Sequence, residues 1–188
     1  MAAARTRWRS EQPRWDPQRL VFIDETALNT KLARLYGRSP IGRRCLGRVP
    51  HGHWQTTTFI AALRWGRIDA PFLIEGSANR EVFAAYVAQV LAPELCEGDV
   101  VILDNLCIHK TPTIARLIAA HGASVRYLPP YSPDLNPIEQ AFAKLKSHLR
   151  AATARSLEDL RLATASALHA FLPDHCQSFF QHAHYGTN

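Results

Sequence analysis

Leu20-Val21-Phe22-Ile23 is an unbroken apolar run ending in Asp24-Glu25, the pattern of a strand buried on both faces. Residues 37–54 follow, rich in Gly, Pro and Arg, and predict a loop. QTTTFIAALRW and RIDAPFLIEG predict two adjacent strands that turn at Trp65-Gly66-Arg67. Asn79 suits the N-cap of a helix whose apolar positions Val82, Phe83, Tyr86, Val87, Val90 and Leu91 recur at helical spacing, and Pro93 ends it. Asp99 to Asp104 encloses a second run apolar enough for burial on both faces. A helix from about Thr111 to Ala120 stops at His121-Gly122, and a short strand, Ser124 to Leu128, leads into the proline-rich turn PPYSPDLNP. Helices over about 137–151 and 156–171, and a short one near 174–183, complete the chain.

The order is strand, hairpin, helix, strand, helix, strand, then helices, which predicts an α/β fold: a mixed central sheet flanked by helices. A crossover containing a helix joins the two apolar strands, so they are expected to be central, parallel neighbours. Their C-terminal ends then share one edge of the sheet, where open α/β sheets bind ligands.

At 188 residues and 47% hydrophobic content, one globular domain is expected, and disorder is excluded. The four cysteines lie far apart without a CxxC pair, so neither a zinc module nor a disulfide framework is indicated, and a reducing compartment fits best. No apolar stretch reaches membrane-span length, and the arginine-rich N-terminus lacks the apolar core of a secretory signal; a soluble, intracellular protein with no membrane partner is expected. The net charge is +6 and unevenly placed: ten arginines and one lysine face four acidic residues between Arg5 and Arg48. Trp8 and Trp15 are interleaved with the first arginines, which suits contact with a phosphate backbone; a solvated basic surface is the alternative. Arg43, Arg44 and Arg48, in the loop after the first strand, are candidates for a DNA-contacting arm.

Asp24 and Asp104 each follow directly on an apolar strand, and parallel pairing sets the two carboxylates side by side. Adjacent anions repel and raise a pKa unless a cation lies between them, and hard cations such as magnesium prefer oxygen ligands. Singly, each Asp reads as well as a turn residue; as a matched pair they point to a metal site. Glu139 is the third acid. With Asn136 as N-cap and Pro137 at the first helical position it occupies the glutamate place of a capping box, a structural role to weigh against a catalytic one. Glu139, Lys146 and Arg150 share a helix face beside the apolar stripe Ile138, Phe142, Leu145 and Leu149. Glu25 is expected on the opposite face from Asp24, with a structural role. His51 and His53 look like a metal pair, but loop packing is the stronger reading, since two histidines alone make a poor site.

FIDET, VVILDNLCIHK and YLPPYSPDLNPIEQAFAKLK, with thirty-four residues between Asp104 and Glu139, together resemble the DDE catalytic core of a bacterial insertion-sequence transposase. The type it resembles is the family numbered six-thirty, related to the mariner-like elements, and the similarity runs from about Leu20 to Tyr185. The resemblance implies a ribonuclease H-like catalytic domain over residues 20–185, preceded by a basic N-terminal arm over residues 1–19. It implies that Asp24, Asp104 and Glu139 bind two divalent ions, Mg2+ or Mn2+, for hydrolysis of a phosphodiester at the element end and attack of the freed 3′-hydroxyl on target DNA. Asn105 and His109 belong to the same block as supporting residues: Asn105 to orient Asp104, and His109 either to touch the scissile region or to make a helix-start hydrogen bond.

The implied partners are double-stranded DNA and a second copy of the chain, in a bacterial cytoplasm at the nucleoid. Transposases of this type carry an N-terminal helix-turn-helix region, and only about twenty residues precede the first strand here. A split reading frame with an upstream-encoded helix-turn-helix partner, or a truncated remnant, is therefore expected. Two other readings stand beside the transposase: a nuclease of ribonuclease H or resolvase type, and a non-catalytic DNA-binding remnant.

Overall fold

Strand β1 (Leu20–Asn29) is the centre of a five-stranded sheet, and its side chains alternate between two helical layers. Leu20, Phe22 and Leu28 enter one core; Val21 and Ile23 enter the other. In this computed structural model, which describes residues 2–34, 36–47, 49 and 54–186, the sheet also contains β2 (Thr56–Arg64), β3 (Arg67–Glu75), β4 (Val100–Leu103) and β5 (Ser124–Tyr127). The order is β3-β2-β1-β4-β5; β1, β4 and β5 run parallel, and β2 is antiparallel to both of its neighbours, β1 and β3.

The mixed sheet, the hairpin and the parallel central pair all agree with the apolar patterning. Strand β1 extends further than expected. It continues past Asp24-Glu25 because β2 pairs with it antiparallel out to Asn29↔Thr56, after the ladder with β4 on its other side has ended at Phe22↔Ile102.

One core packs helices α1 (Ala2–Glu11), α4 (Ile138–Ala152), α5 (Leu157–Leu168) and α6 (Pro173–His182) on the face of Phe22 and Leu63. The other packs α2 (Arg80–Tyr86) and α3 (Pro112–Ala119) on the face of Val21, Ile60 and Val101. Asn79 caps α2 as expected, its Oδ1 accepting from Val82 N at 2.8 Å; a π-turn at Val87–Leu91 carries the helix on toward Pro93.

The N-terminal arginine-rich segment forms α1, anchored by one aromatic residue. Trp8 Nε1 donates to Tyr185 Oη at 2.8 Å, Tyr185 Oη donates to Leu135 O at 2.9 Å, and Gln12 Nε2 donates to Ala183 O at 2.9 Å. Trp15 stacks on Tyr185 with ring centroids 6.2 Å apart. Trp8 is thus a buried anchor and not a surface group available to phosphate. Among the described residues no helix is long and apolar enough to cross a membrane.

Candidate active site

The β1–β4 ladder ends at Phe22↔Ile102, and Asp24 and Asp104 lie two residues beyond that pair on their respective chains. The parallel register therefore sets both acids at one sheet edge, on the side that carries α4. Asp24 Oδ1 accepts from Glu25 N at 2.8 Å, and its Oδ2 accepts from Asn136 Nδ2 at 2.8 Å. Asp104 Oδ1 accepts from Leu106 N at 3.0 Å and lies 2.5 Å from His109 Nδ1.

Asn136 does not cap the helix that follows it. Helix α4 has no side-chain cap; the Asn136 amide turns to Asp24, and Glu139 N donates to the Asn136 carbonyl at 3.2 Å. The capping-box role expected of Glu139 is therefore not realised, and its exposed side chain opens instead onto a cleft of about 450 Å³ shared with Asp24 and Asp104. Asn105 and Asn136 also line that cleft, and its opposite wall is the Leu128–Pro133 segment with Leu106.

The cleft is an electrostatic sink. Burial pushes the Asp24 carboxyl up to about 7, and the charges of Glu139, Glu25 and Asp104 push the same way against the Glu25 backbone hydrogen bond. Burial opposes ionisation of Asp104 too, but hydrogen bonds from His109 and Leu106 outweigh it and lower its pKa. His109 is fully buried, which disfavours its charge, yet hydrogen bonds to Asp104 and Glu25 raise it to about 9. Its Nε2 lies 3.0 Å from Glu25 Oε1, and its ring sits 4.3 Å from that of Phe83.

His109, fully buried, bridges Asp104 on the α4 side of the sheet to Glu25 on the α2/α3 side, a pairing the sequence reading did not include. Glu25 is on the face opposite Asp24, as strand alternation requires, and its pairing with His109 went unseen in the sequence, where 84 residues separate the two. The hydrogen bonds to Asp104 come from Leu106 and His109, while Asn105, half-buried, borders the cleft. Lys146 and Arg150 continue the Glu139 stripe about 10 and 16 Å further along α4, outside the cleft. Arg43 and Arg44 are exposed in the loop after β1; Arg48, His51 and His53 lie outside the described residues.

Among the described residues no three His, Cys, Asp or Glu side chains are grouped closely enough to enclose one metal ion. The donor chemistry nevertheless fits a hard divalent cation: the acids of the cleft offer oxygen alone, Asp24 is held far above its ordinary value by burial and like charge, and Asn136 Oδ1 is buried without a partner.

A family model described as DDE superfamily endonuclease matches residues 19–161. No curated protein matches the sequence. Among solved structures, the chain is similar to a Mos1 transposase paired-end complex with left transposon end (TM-score 0.76, 15% identity), covering 95% of this chain and 56% of that one. It is also similar to the catalytic domain of Mos1 mariner transposase (TM-score 0.65, 14% identity), covering 95% of this chain and 84% of that one, and to Mos1 paired-end complexes with Mn and with Mg. The chain thus spans little more than half the length of the Mos1 transposase chain it matches in that complex. At these identities the likeness establishes the fold, that of a ribonuclease H-like catalytic domain with a five-stranded mixed sheet.

Proposed function

This chain belongs to the DDE superfamily endonucleases, and we propose that it is the catalytic domain of a DNA transposase, cleaving DNA at the ends of an insertion sequence and joining the freed strand to a target. One observation carries the reading: three carboxylates drawn from β1, the end of β4 and the start of α4 line a single cleft at the C-terminal edge of the parallel strands.

In this reading Asp24, Asp104 and Glu139 hold two divalent ions, magnesium or manganese. Such ions, when bound, stabilise charge on the phosphate in flight and ease deprotonation of the attacking water or 3′-hydroxyl. The protein's own work is positioning. His109 and the Leu106 amide fix Asp104, the Asn136 amide fixes Asp24, and burial of the sheet edge strengthens every charge–charge contact there. Asn105 borders the scissile region. Arg43, Arg44 and Arg48 from the loop after β1, with Lys146 and Arg150 along α4, bind phosphates away from the acidic floor.

Residues 20–185 are the catalytic domain, and residues 1–19 a basic N-terminal segment that braces it. Double-stranded DNA is the substrate, a second copy of the chain and an upstream-encoded helix-turn-helix chain are the partners, and the nucleoid of a bacterium is the place of action.

The test is an end-labelled duplex carrying the element end, incubated with the chain and magnesium or manganese beside an Asp104→Asn control. Metal-dependent nicking lost in the control supports the reading, and strand transfer into a second duplex separates a transposase from a simple nuclease. DNA binding equal in both proteins, with no metal-dependent nicking, contradicts it.

A further inference from the structure

The acidic cleft has a second wall with no part in holding metal. Its lining, which includes Asp24, Asp104 and Glu139, contains no lysine or arginine among the described residues. A nucleic-acid strand entering it meets no lysine or arginine of the lining, so at this wall the apolar and aromatic side chains are placed to meet bases rather than to pair with phosphate charge. The Leu128–Pro133 wall offers an aromatic face for this. Tyr131 lies at the rim, 87% exposed, with Leu106 half exposed on the same cleft.

Two features mark Tyr131 as placed and not merely left on the surface. Its φ is 52°, in the left-handed region that a bulky side chain enters at an energetic cost. Such strain persists where neighbours over-determine the backbone. Here they do: Arg5 Nη1 donates to Ser132 Oγ at 2.9 Å, Ser132 Oγ donates to Pro130 O at 3.2 Å, and both Arg5 and Arg9 clasp Asp134, at 2.7 and 3.1 Å. Helix α1 thus staples the loop in the conformation that turns an aromatic ring outward beside the carboxylates.

We propose that Tyr131 is a base-stacking platform that takes the face of an unstacked nucleobase adjoining the phosphodiester bound at the acidic end of the cleft. The inference rests on the DNA-cutting reading above and adds how the strand is held there. Stacking on an aromatic ring tolerates any base, so the platform orients the strand without selecting sequence. The phenol suits the rim because its ring is apolar while its hydroxyl remains in water.

The test uses a forked duplex with 2-aminopurine in the single-stranded arm next to the junction and a dye at the far end. In calcium, a hard cation with oxygen ligands, dye anisotropy reads binding and 2-aminopurine quenching reads stacking; nicking of the same probe in magnesium reads the underlying activity. Wild type and Tyr131→Phe are expected to quench. Tyr131→Ala and Tyr131→Gly are expected to bind at similar concentrations without quenching, and Tyr131→Gly to melt at a higher temperature, because glycine relieves the strained φ. Quenching by Tyr131→Ala equal to wild type, or wild-type binding without quenching, overturns the platform even while nicking persists. Loss of binding in both Tyr131→Ala and Tyr131→Phe overturns it as well, since Tyr131→Phe keeps the ring and binding then does not follow the ring. A wild type that neither binds nor nicks the probe contradicts the DNA-cutting reading itself.

Discussion

His109 Nε2 lies 3.0 Å from Glu25 Oε1, and the other nitrogen of the same buried ring lies 2.5 Å from Asp104 Oδ1. A cationic imidazole therefore joins a carboxylate on one face of β1 to the acid at the end of β4, and Glu25 Oε2 is left buried without a partner. His109→Ala removes the only charge that compensates Glu25 among its described hydrogen-bonding partners. A loss on the order of 3–5 kcal/mol, as for breaking a buried ion pair, is expected in urea melts at pH 7.

The same pair sets a pH dependence. The folded-state value of His109 is raised to about 9, above the roughly 6.5 of an unperturbed histidine. Its contribution is complete below that unfolded value and disappears as pH rises through about 9. Wild-type stability is expected to fall across this window, and the decline to be absent in His109→Gln; parallel curves for the two proteins would count against the bridge.

Asp24 has the opposite character. Burial and neighbouring acids hold its folded-state value at about 7, so in the metal-free protein its ionisation works against folding. The unfolded chain ionises near pH 4 and the folded chain only near 7, so stability declines between those values and then levels. Asp24→Asn is expected to stabilise the metal-free protein by on the order of 1–4 kcal/mol above pH 7, less the weakened hydrogen bond with Asn136, while abolishing nicking. Differential scanning calorimetry at pH 5 and pH 8 checks the growth of the difference with pH. A destabilised variant at pH 8 would contradict the electrostatic account.

Much of this was legible in the sequence, for identifiable reasons. Unbroken apolar runs at 20–23 and 100–103 mark strands buried on both faces, and the acids that follow them locate the sheet edge. What periodicity cannot carry is tertiary pairing. Asn136 has the composition of an N-cap, but an acceptor 112 residues upstream takes its amide. Helix α1 has an arginine-rich sequence with a single buried residue, Trp8, whose partner Tyr185 is 177 residues away. The extension of β1 to Asn29 depends on the β2 ladder and not on its own pattern. Glu25 follows Asp24 in the chain, so alternation gives its face, but its partner required the fold.

Arg64 is the buried cation of the sheet's far end. Its Nη2 donates to Asp99 Oδ2 at 2.7 Å and to Glu94 O at 2.9 Å, and its Nε lies 2.8 Å from Asp69 Oδ2. Asp99 is 2% exposed, so Arg64→Met leaves a buried carboxylate uncompensated. A loss on the order of 3–5 kcal/mol is expected in urea melts, only partly restored by Arg64→Lys, which cannot reach both acids from one planar fork. Full rescue by lysine would indicate that charge alone matters there.

Arg5 and Arg9 tie α1 to the loop that carries Tyr131. Hydrogen bonds from Arg5, aided by Arg9, hold the Asp134 carboxyl at about 2. A depressed carboxylate stabilises above its unfolded value near 4, and that contribution is lost as pH falls through about 2. The pair is exposed, so the effect is small and screened by salt. Arg5→Ala is expected to lower Tm slightly in dilute buffer at pH 7, with the difference shrinking at high salt and toward pH 2. Hydrogen exchange at residues 131–135 is expected to quicken in the same variant.

The central claim is that Asp24, Asp104 and Glu139 act together as one divalent-metal site, and Mn2+ titration of the DNA-free protein tests it most directly. Wild type is expected to bind manganese, and Asp24→Asn, Asp104→Asn and Glu139→Gln each to weaken that binding while leaving the far-ultraviolet circular dichroism unchanged. Manganese binding that is undiminished in all three variants would contradict the account.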